Sequence, residues 1–192
     1  MQTRFVLPTR LLITPEPPAD ELRFGDFLDR LDAALVRGIE LVQLRAKTLD
    51  AASYGRLARQ ALLRCRAHGA LMVLNGPSTD EPPEADGIHL TSERLMRASA
   101  RPVSDSMLFS AACHTRAQLA HAAAIGADLV TLSPVLPTSS HPGEPTLGWR
   151  RFAQLVAGVR VPIYALGGMG REDERLARAF GARGIAGISA FW

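Results

Sequence analysis

The chain has 192 residues, 47% of them hydrophobic and 21% charged, and a formal net charge of +3. That length suits one domain with a sizeable core, so 1–192 is expected to form a single barrel-sized unit. No apolar run reaches the roughly 18 residues of a membrane span, and Pro8 and Arg10 break up any signal-peptide core. The basic residues are scattered arginines without interleaved aromatics, which argues against nucleic acid; Arg56, Arg59, Arg64 and Arg66 read as the solvated face of a helix. These features predict a cytoplasmic protein with neither membrane nor nucleic acid as partner. Cys65 and Cys113 have no zinc-site spacing and suit a reducing compartment. Lys47 is the sole lysine, an exception in an arginine-preferring chain that invites a chemical reason.

Apolar runs and amphipathic stretches alternate from end to end. RLLIT (10–14) reads as a strand, and FGDFLDRLDAALVRG as a helix stopped by Gly38. ELVQLRA (40–46) follows, then LDAASYGRLARQALLRCRAHG, a helix ending at Gly69. LMVLN (71–75) and GIHL (87–90) are strands separated by GPSTDEPPEAD, which has too many prolines and too little pattern for a full helix. MLFSAAC (107–113), the helix TRAQLAHAAAIG and DLVTLS (128–133) come next. PIYALG (162–167), the helix REDERLARAFG and GIAGIS (184–189) complete the pattern. Small-residue phrases (HGA, EADG, GAD, GARG) recur just before strands, marking the turn of a repeating βα unit.

Eight strands with helical crossovers predict parallel order and an α/β fold, a small (β/α)₈ TIM barrel. The helix after strand 3 is expected to be shortened and the eighth to be missing, since ISAFW follows strand 8 directly. A bare flank beside Phe191 and Trp192 would need cover, which suggests a homodimer.

Side chains in a strand alternate between faces. Gln43, Arg45 and Lys47 share one face of strand 2, and Asn75 ends strand 3. His89 and Thr91, then Ser110, Ala112 and His114, then Thr131 and Ser133 align on the following strands. Any one of them has an ordinary explanation: a rim cation, or a hydrogen-bonded core histidine. Five consecutive strands sending polar groups to the end where barrel sites form is different, because unpartnered burial of such groups is costly. The neighbours Cys113 and His114 point to opposite faces, so they make no nucleophile–base pair. Gly167 and Gly168 end strand 7 and Ser189 ends strand 8, the places where these barrels hold phosphate. Between strand 6 and the next helix, SPVLPTSSHPGEPTLGW (Ser133–Trp149) is a long, proline-stiffened, hydroxyl-rich loop. Loops of this length are uncommon and usually functional.

ELVQLRAK, ADGIHL, Cys113-His114-Thr115, GADLVTLSPVLPT and ALGGM together resemble the thiamine phosphate synthase and TenI superfamily over nearly the whole chain. The compact ending and the PTSSHPGEPTLGW loop are most similar to the subgroup also found fused to Nudix hydrolase domains, which makes a Nudix domain an implied partner. The resemblance implies thiamine biosynthesis and a small phosphorylated thiazole or thiamine precursor as ligand. In the synthase, a thiazole phosphate displaces pyrophosphate from an aminopyrimidine with the help of Mg²⁺. Gln43, Arg45, Lys47 and Asn75 match its pyrophosphate and pyrimidine motif, Thr138 and Ser140 its loop hydroxyls, and Gly167, Gly168 and Ser189 its thiazole phosphate site. The departures fall on the metal: Gly76 and Arg94 stand where aspartate ligands are expected, with only Glu93 acidic nearby. Ala112 replaces a serine, and His141 a pyrophosphate-gripping lysine. In TenI-like thiazole tautomerases the histidine matching His114 moves a proton without metal or cofactor. The expected function is therefore a thiazole tautomerase-like isomerase using His114; a transferase, thiamine phosphate synthase, and a non-catalytic binding domain are the alternatives. The Ser133–Trp149 loop is expected to close over the barrel end.

Overall fold

A computed structural model describes residues 5–77, 83–138, 143 and 145–192, and in it eight parallel strands close into a barrel in chain order. They are β1 (Arg10–Ile13), β2 (Leu41–Arg45), β3 (Leu71–Asn75), β4 (Gly87–Leu90), β5 (Leu108–Cys113), β6 (Leu129–Leu132), β7 (Ile163–Leu166) and β8 (Gly184–Gly187). The helices are α1 (Phe24–Val36), α2 (Ala51–Ala67), α3 (Ser92–Arg97), α4 (Arg116–Ala124), α5 (Gly148–Val156) and α6 (Glu174–Ala179). Closure comes from β8 pairing with β1, with Arg10 opposite Ile185 and Leu12 opposite Gly187.

Alternation along the strands sorts the core in two. Leu11, Leu41, Val73, Leu108, Leu129 and Tyr164 fill the inside of the barrel. Leu12, Val42, Leu44, Phe109, Val130 and Ile185 face outward and pack against the helices. Three of the helices, α2, α3 and α4, start where a short polar side chain takes a free backbone N–H. Asp50 accepts from Ser53 N at 2.8 Å, and Thr91 and Thr115 each accept at 3.3 Å, from Arg94 and Gln118. Thr91 and Thr115 come just after β4 and β5, so each helix begins at the very end of the barrel where the strands finish. The four expected stop glycines all have positive φ: +85° at Gly38, +69° at Gly69, +81° at Gly126 and +96° at Gly181.

Among the described residues no helix lies between β3 and β4 and none follows β8. The tail itself covers the flank that an eighth helix would cover. Phe191 is 1% exposed, its carbonyl accepts from Arg37 Nη2 at 2.9 Å, and the Arg171 guanidinium lies 5.7 Å from its ring centre. Trp192 packs on Phe27 of α1 with ring centres 4.8 Å apart. The bare flank that suggested a homodimer is thus covered within the chain. No described helix is long and apolar enough to cross a membrane.

Candidate functional site

At the C-terminal end of the strands lies a cavity of about 1170 Å³. Gln43, Arg45, Lys47, Asn75, His114, Thr138, Gly167, Gly168 and Ser189 all line it, together with His89, Thr131 and Ser133. Ser140 and His141 lie outside the described residues. Thr91 is absent from the lining because it caps α3.

The floor is built from buried polar side chains on adjacent strands. Asn75 Nδ2 donates to Gln43 Oε1 at 2.8 Å, which fixes the Gln43 amide with its own N–H groups left over. Gln43 Nε2 and Thr131 Oγ1 are buried and have no hydrogen-bond partner among the described residues. Ser110 Oγ donates to the Ile88 carbonyl at 3.0 Å, so at 2.9 Å it accepts from His89 Nδ1. His89 therefore carries its proton on Nδ1 and keeps a lone pair on Nε2. Burial, reinforced by the charge of Arg94, pushes its pKa down to about 3, so the ring is neutral. An unpartnered buried polar group costs about 1–3 kcal/mol. A ligand whose edge carries both donors and acceptors would remove that cost.

The rim carries the cations and the candidate base. His114 stands between the end of β5 and the cap of α4. Its Nδ1 lies 2.9 Å from the Ser133 carbonyl, which can only accept, so Nε2 is the nitrogen with the free lone pair. Its backbone N–H donates to Gln118 Oε1 at 2.7 Å, which ties the position to α4. Cys113 points the other way, fully buried in the helix-side core, with its thiol pushed up to about 12 by burial. The expected separation of this pair holds.

Glu16, just beyond β1, organises the cationic side and is not apparent from the motifs. Its Oε1 accepts from Lys47 N at 2.7 Å, Thr48 N at 2.8 Å and Thr48 Oγ1 at 2.8 Å. Its Oε2 lies 3.4 Å from Arg45 Nη1. Burial pushes this carboxyl up, but the hydrogen bonds from Thr48 and Lys47 and the charge of Arg45 outweigh it and hold the pKa below 4.5. A carboxylate just past a barrel strand, opposite the lone lysine, is the signal that could have revealed it. The proline-rich TPEPPAD stretch around it masks that signal.

Opposite, Gly167 (φ +99°) and Gly168 (φ +66°) turn the chain where no side chain fits. A Cβ on Gly168 would lie 2.3 Å from the Pro137 carbonyl oxygen, and one on Gly167 would lie 2.9 Å from Pro134 Cα. The closeness comes from the loop after β6. Val135 N and Leu136 N donate to the carbonyls of Leu166 and Gly167 at 2.9 and 3.0 Å. Leu147 N and Gly148 N return to Pro134 and Val135, each at 2.9 Å, so the two ends of the loop are stitched together. Ser133, Pro134, Pro137 and Thr138 from its first half form one wall of the cavity. The loop is shorter than expected, because Gly148 and Trp149 open α5 and Trp149 stacks on Phe180 at 5.6 Å.

Among the described residues, the cavity lining does not fit a magnesium ion, its carboxylates being Glu16 and Glu172. Magnesium needs carboxylate oxygens in near-octahedral array. Glu93 is exposed and pairs with Arg97 at 2.6 Å, and Glu16 is occupied by Lys47 and Thr48. Among the described residues no three His, Cys, Asp or Glu side chains cluster as a metal site. Gly76 offers no ligand and has no room for one, since a Cβ there would lie 2.3 Å from the Tyr54 ring.

Residues 11–191 match the family model described as thiamine monophosphate synthase, TMP-TENI. A putative thiamine-phosphate synthase 2 of Aquifex aeolicus is 33% identical over 174 residues, covering 90% of this chain and 94% of its own. A putative thiamine-phosphate synthase of Geobacter sulfurreducens is 37% identical over 169 residues, covering 86% and 79%. Among solved structures, a thiamine phosphate pyrophosphorylase from Pyrococcus furiosus superposes with a TM-score of 0.72 at 21% identity, covering 95% of this chain and 86% of that one.

Proposed function

Because the chain belongs to the thiamine monophosphate synthase family of thiamine biosynthesis, we propose that its cavity binds a phosphorylated thiazole precursor and isomerises it by proton transfer through His114. The carrying observation is that the cavity holds a fixed imidazole with a free Nε2, while among the described residues no three His, Cys, Asp or Glu side chains cluster as a metal site. The phosphate belongs with Gly167, Gly168 and Ser189, and the ring with the floor made by Gln43, His89 and Thr131. His114 Nε2 takes a proton from a ring carbon and a proton returns elsewhere on the same molecule. Substrate and product then have the same atoms, and neither oxidant nor cofactor is consumed. A positioned base contributes about 10²–10⁴-fold to such a step.

A second reading is the transferase reaction that joins an aminopyrimidine to the thiazole phosphate. The names of the relatives favour it, as do Gln43, Arg45, Lys47 and Asn75, which keep the motif for the second substrate. It predicts dependence on magnesium and on Arg45 and Lys47. A non-catalytic binder would hold either precursor unchanged.

One experiment separates them. The non-aromatic thiazole carboxylate phosphate is mixed with protein in chelator, and aromatisation is followed by ultraviolet absorbance beside His114→Ala. Conversion that falls by about 10²–10⁴-fold in the variant supports the isomerase. No acceleration by folded protein sinks it, and turnover only with aminopyrimidine pyrophosphate and magnesium establishes the transferase.

A further inference from the structure

Tyr54 lies in the first turn of α2, is 1% exposed, and points its ring under the end of β3. Its hydroxyl donates to the Leu44 carbonyl of β2 at 3.0 Å, and its ring stands against Gly76 at the end of β3. Both ends of the side chain are thus fixed, one by the helix and one by β2. A Cβ built on Gly76 would lie 2.3 Å from Tyr54 Cζ, 2.4 Å from Cε1 and 2.7 Å from Cε2. Carbon atoms at rest sit about 3.5–4.0 Å apart, so no side chain at 76 can share this space with the ring. The ring cannot swing aside without breaking its hydrogen bond and leaving the core.

We infer that Tyr54 and Gly76 are one coupled device that keeps a cation-binding carboxylate out of the position after Asn75 at the end of β3, with Arg94 supplying positive charge nearby. An aspartate at 76 would put its Cβ, and the carboxylate beyond it, where the tyrosine ring already stands. Arg94 lies in the first turn of α3, close enough for its charge to act on both the Tyr54 hydroxyl and His89. Asn75, the neighbour of Gly76, lines the cavity, so what position 76 can be bears on that edge, and the nearby Arg94 charge disfavours a cation there. Tyr54 is therefore a specificity-determining residue that touches no substrate. It acts by fixing what position 76 can be. Restoring an aspartate alone cannot restore a metal site, because the two positions must change together.

The test uses Mn²⁺ alone, followed by paramagnetic resonance, and thermal melting of the whole chain; no substrate is needed, so it stands or falls apart from the reaction proposed above. The variants are Gly76→Asp, Tyr54→Ala, the double variant, and the double variant with Arg94→Asp added. Gly76→Asp is expected to lower the melting temperature by several degrees and to bind no Mn²⁺. The double variant is expected to lose less than the sum of the two single losses, the mark of a relieved clash. Adding Arg94→Asp is expected to strengthen Mn²⁺ binding at least tenfold over wild type. Gly76→Asp that melts like wild type, or binds Mn²⁺ by itself, overturns the inference. So do additive losses in the double variant, and so does a folded triple variant that binds Mn²⁺ no better than wild type. Should Gly76→Asp fail to fold at all, recovery of a folded double variant supports the pairing and its failure alongside a folded Tyr54→Ala overturns it.

Discussion

Thr131 shows how a single side chain can trade stability for recognition. Its hydroxyl is buried on β6 with no partner among the described residues, beside the Gln43 amide in the same condition. Natural cores rarely leave such groups alone, and the exceptions favour sites that a ligand completes. Thr131→Val keeps the branched shape and removes the unsatisfied oxygen. The free protein is then expected to be unchanged or more stable by about 1 kcal/mol in urea denaturation. Affinity for a thiazole phosphate should fall roughly tenfold by calorimetric titration, the value of about one hydrogen bond. Opposite signs in the two measurements identify a ligand group. A loss in both would make Thr131 a structural residue. His89 illustrates the complementary case, since its pKa of about 3 keeps it a neutral acceptor throughout the working range of pH.

At the scale of elements, the segment joining β2 to α2 depends on Glu16 from a different loop. The carboxylate holds the backbone of Lys47 and Thr48, and through them the placement of the sole lysine at the rim. Its folded pKa is depressed, so its contribution to stability is present above the ordinary value of 4.5 and is lost as pH falls through the folded value. Glu16→Gln is expected to cost about 1–2 kcal/mol at neutral pH, given several hydrogen bonds to a partly exposed charge. The gap between the variant and wild type should close as denaturation is repeated on the acid side of 4.5. A gap independent of pH would assign the loss to packing alone. This contact also marks where sequence reading stops. Strand parity was enough to bring Gln43, Arg45 and Lys47, then Asn75, His89, His114, Thr131 and Ser133 to one cavity, because parallel register leaves alternation intact. The stop glycines were legible for the same local reason. Glu16 and Tyr54 were not, since each acts on residues of other elements through contacts that no local period encodes. Helix α3 has six residues, too few to display a helical period, and the glycine and tryptophan opening α5 read as the tail of a loop.

For the molecule as a whole, the weakest part of the barrel should be the flank of β8, which no helix follows among the described residues. That strand is short and rich in glycine and alanine, so it contributes little side chain of its own to hold the closure with β1. Phe191 and Trp192 do this instead. One is buried and held by Arg37 and Arg171, and the other rests on Phe27 of α1. The tail thereby links the last βα unit to the first, and its loss would be felt as loss of closure. Phe191→Ala is expected to cost about 3–5 kcal/mol, a large share of the roughly 5–15 kcal/mol that stabilises an ordinary domain. Trp192→Ala, removing a half-buried ring contact, should cost about 1 kcal/mol. Hydrogen exchange should place the added opening in β8 and β1 ahead of β3 to β5. The exposed apolar flank should also promote self-association, visible by sedimentation in the Phe191 variant and reduced in wild type. Uniform exchange across all eight strands, or a Phe191 variant as stable as wild type, would mean that the backbone ladder alone closes the barrel and that the aromatic tail merely rests on it.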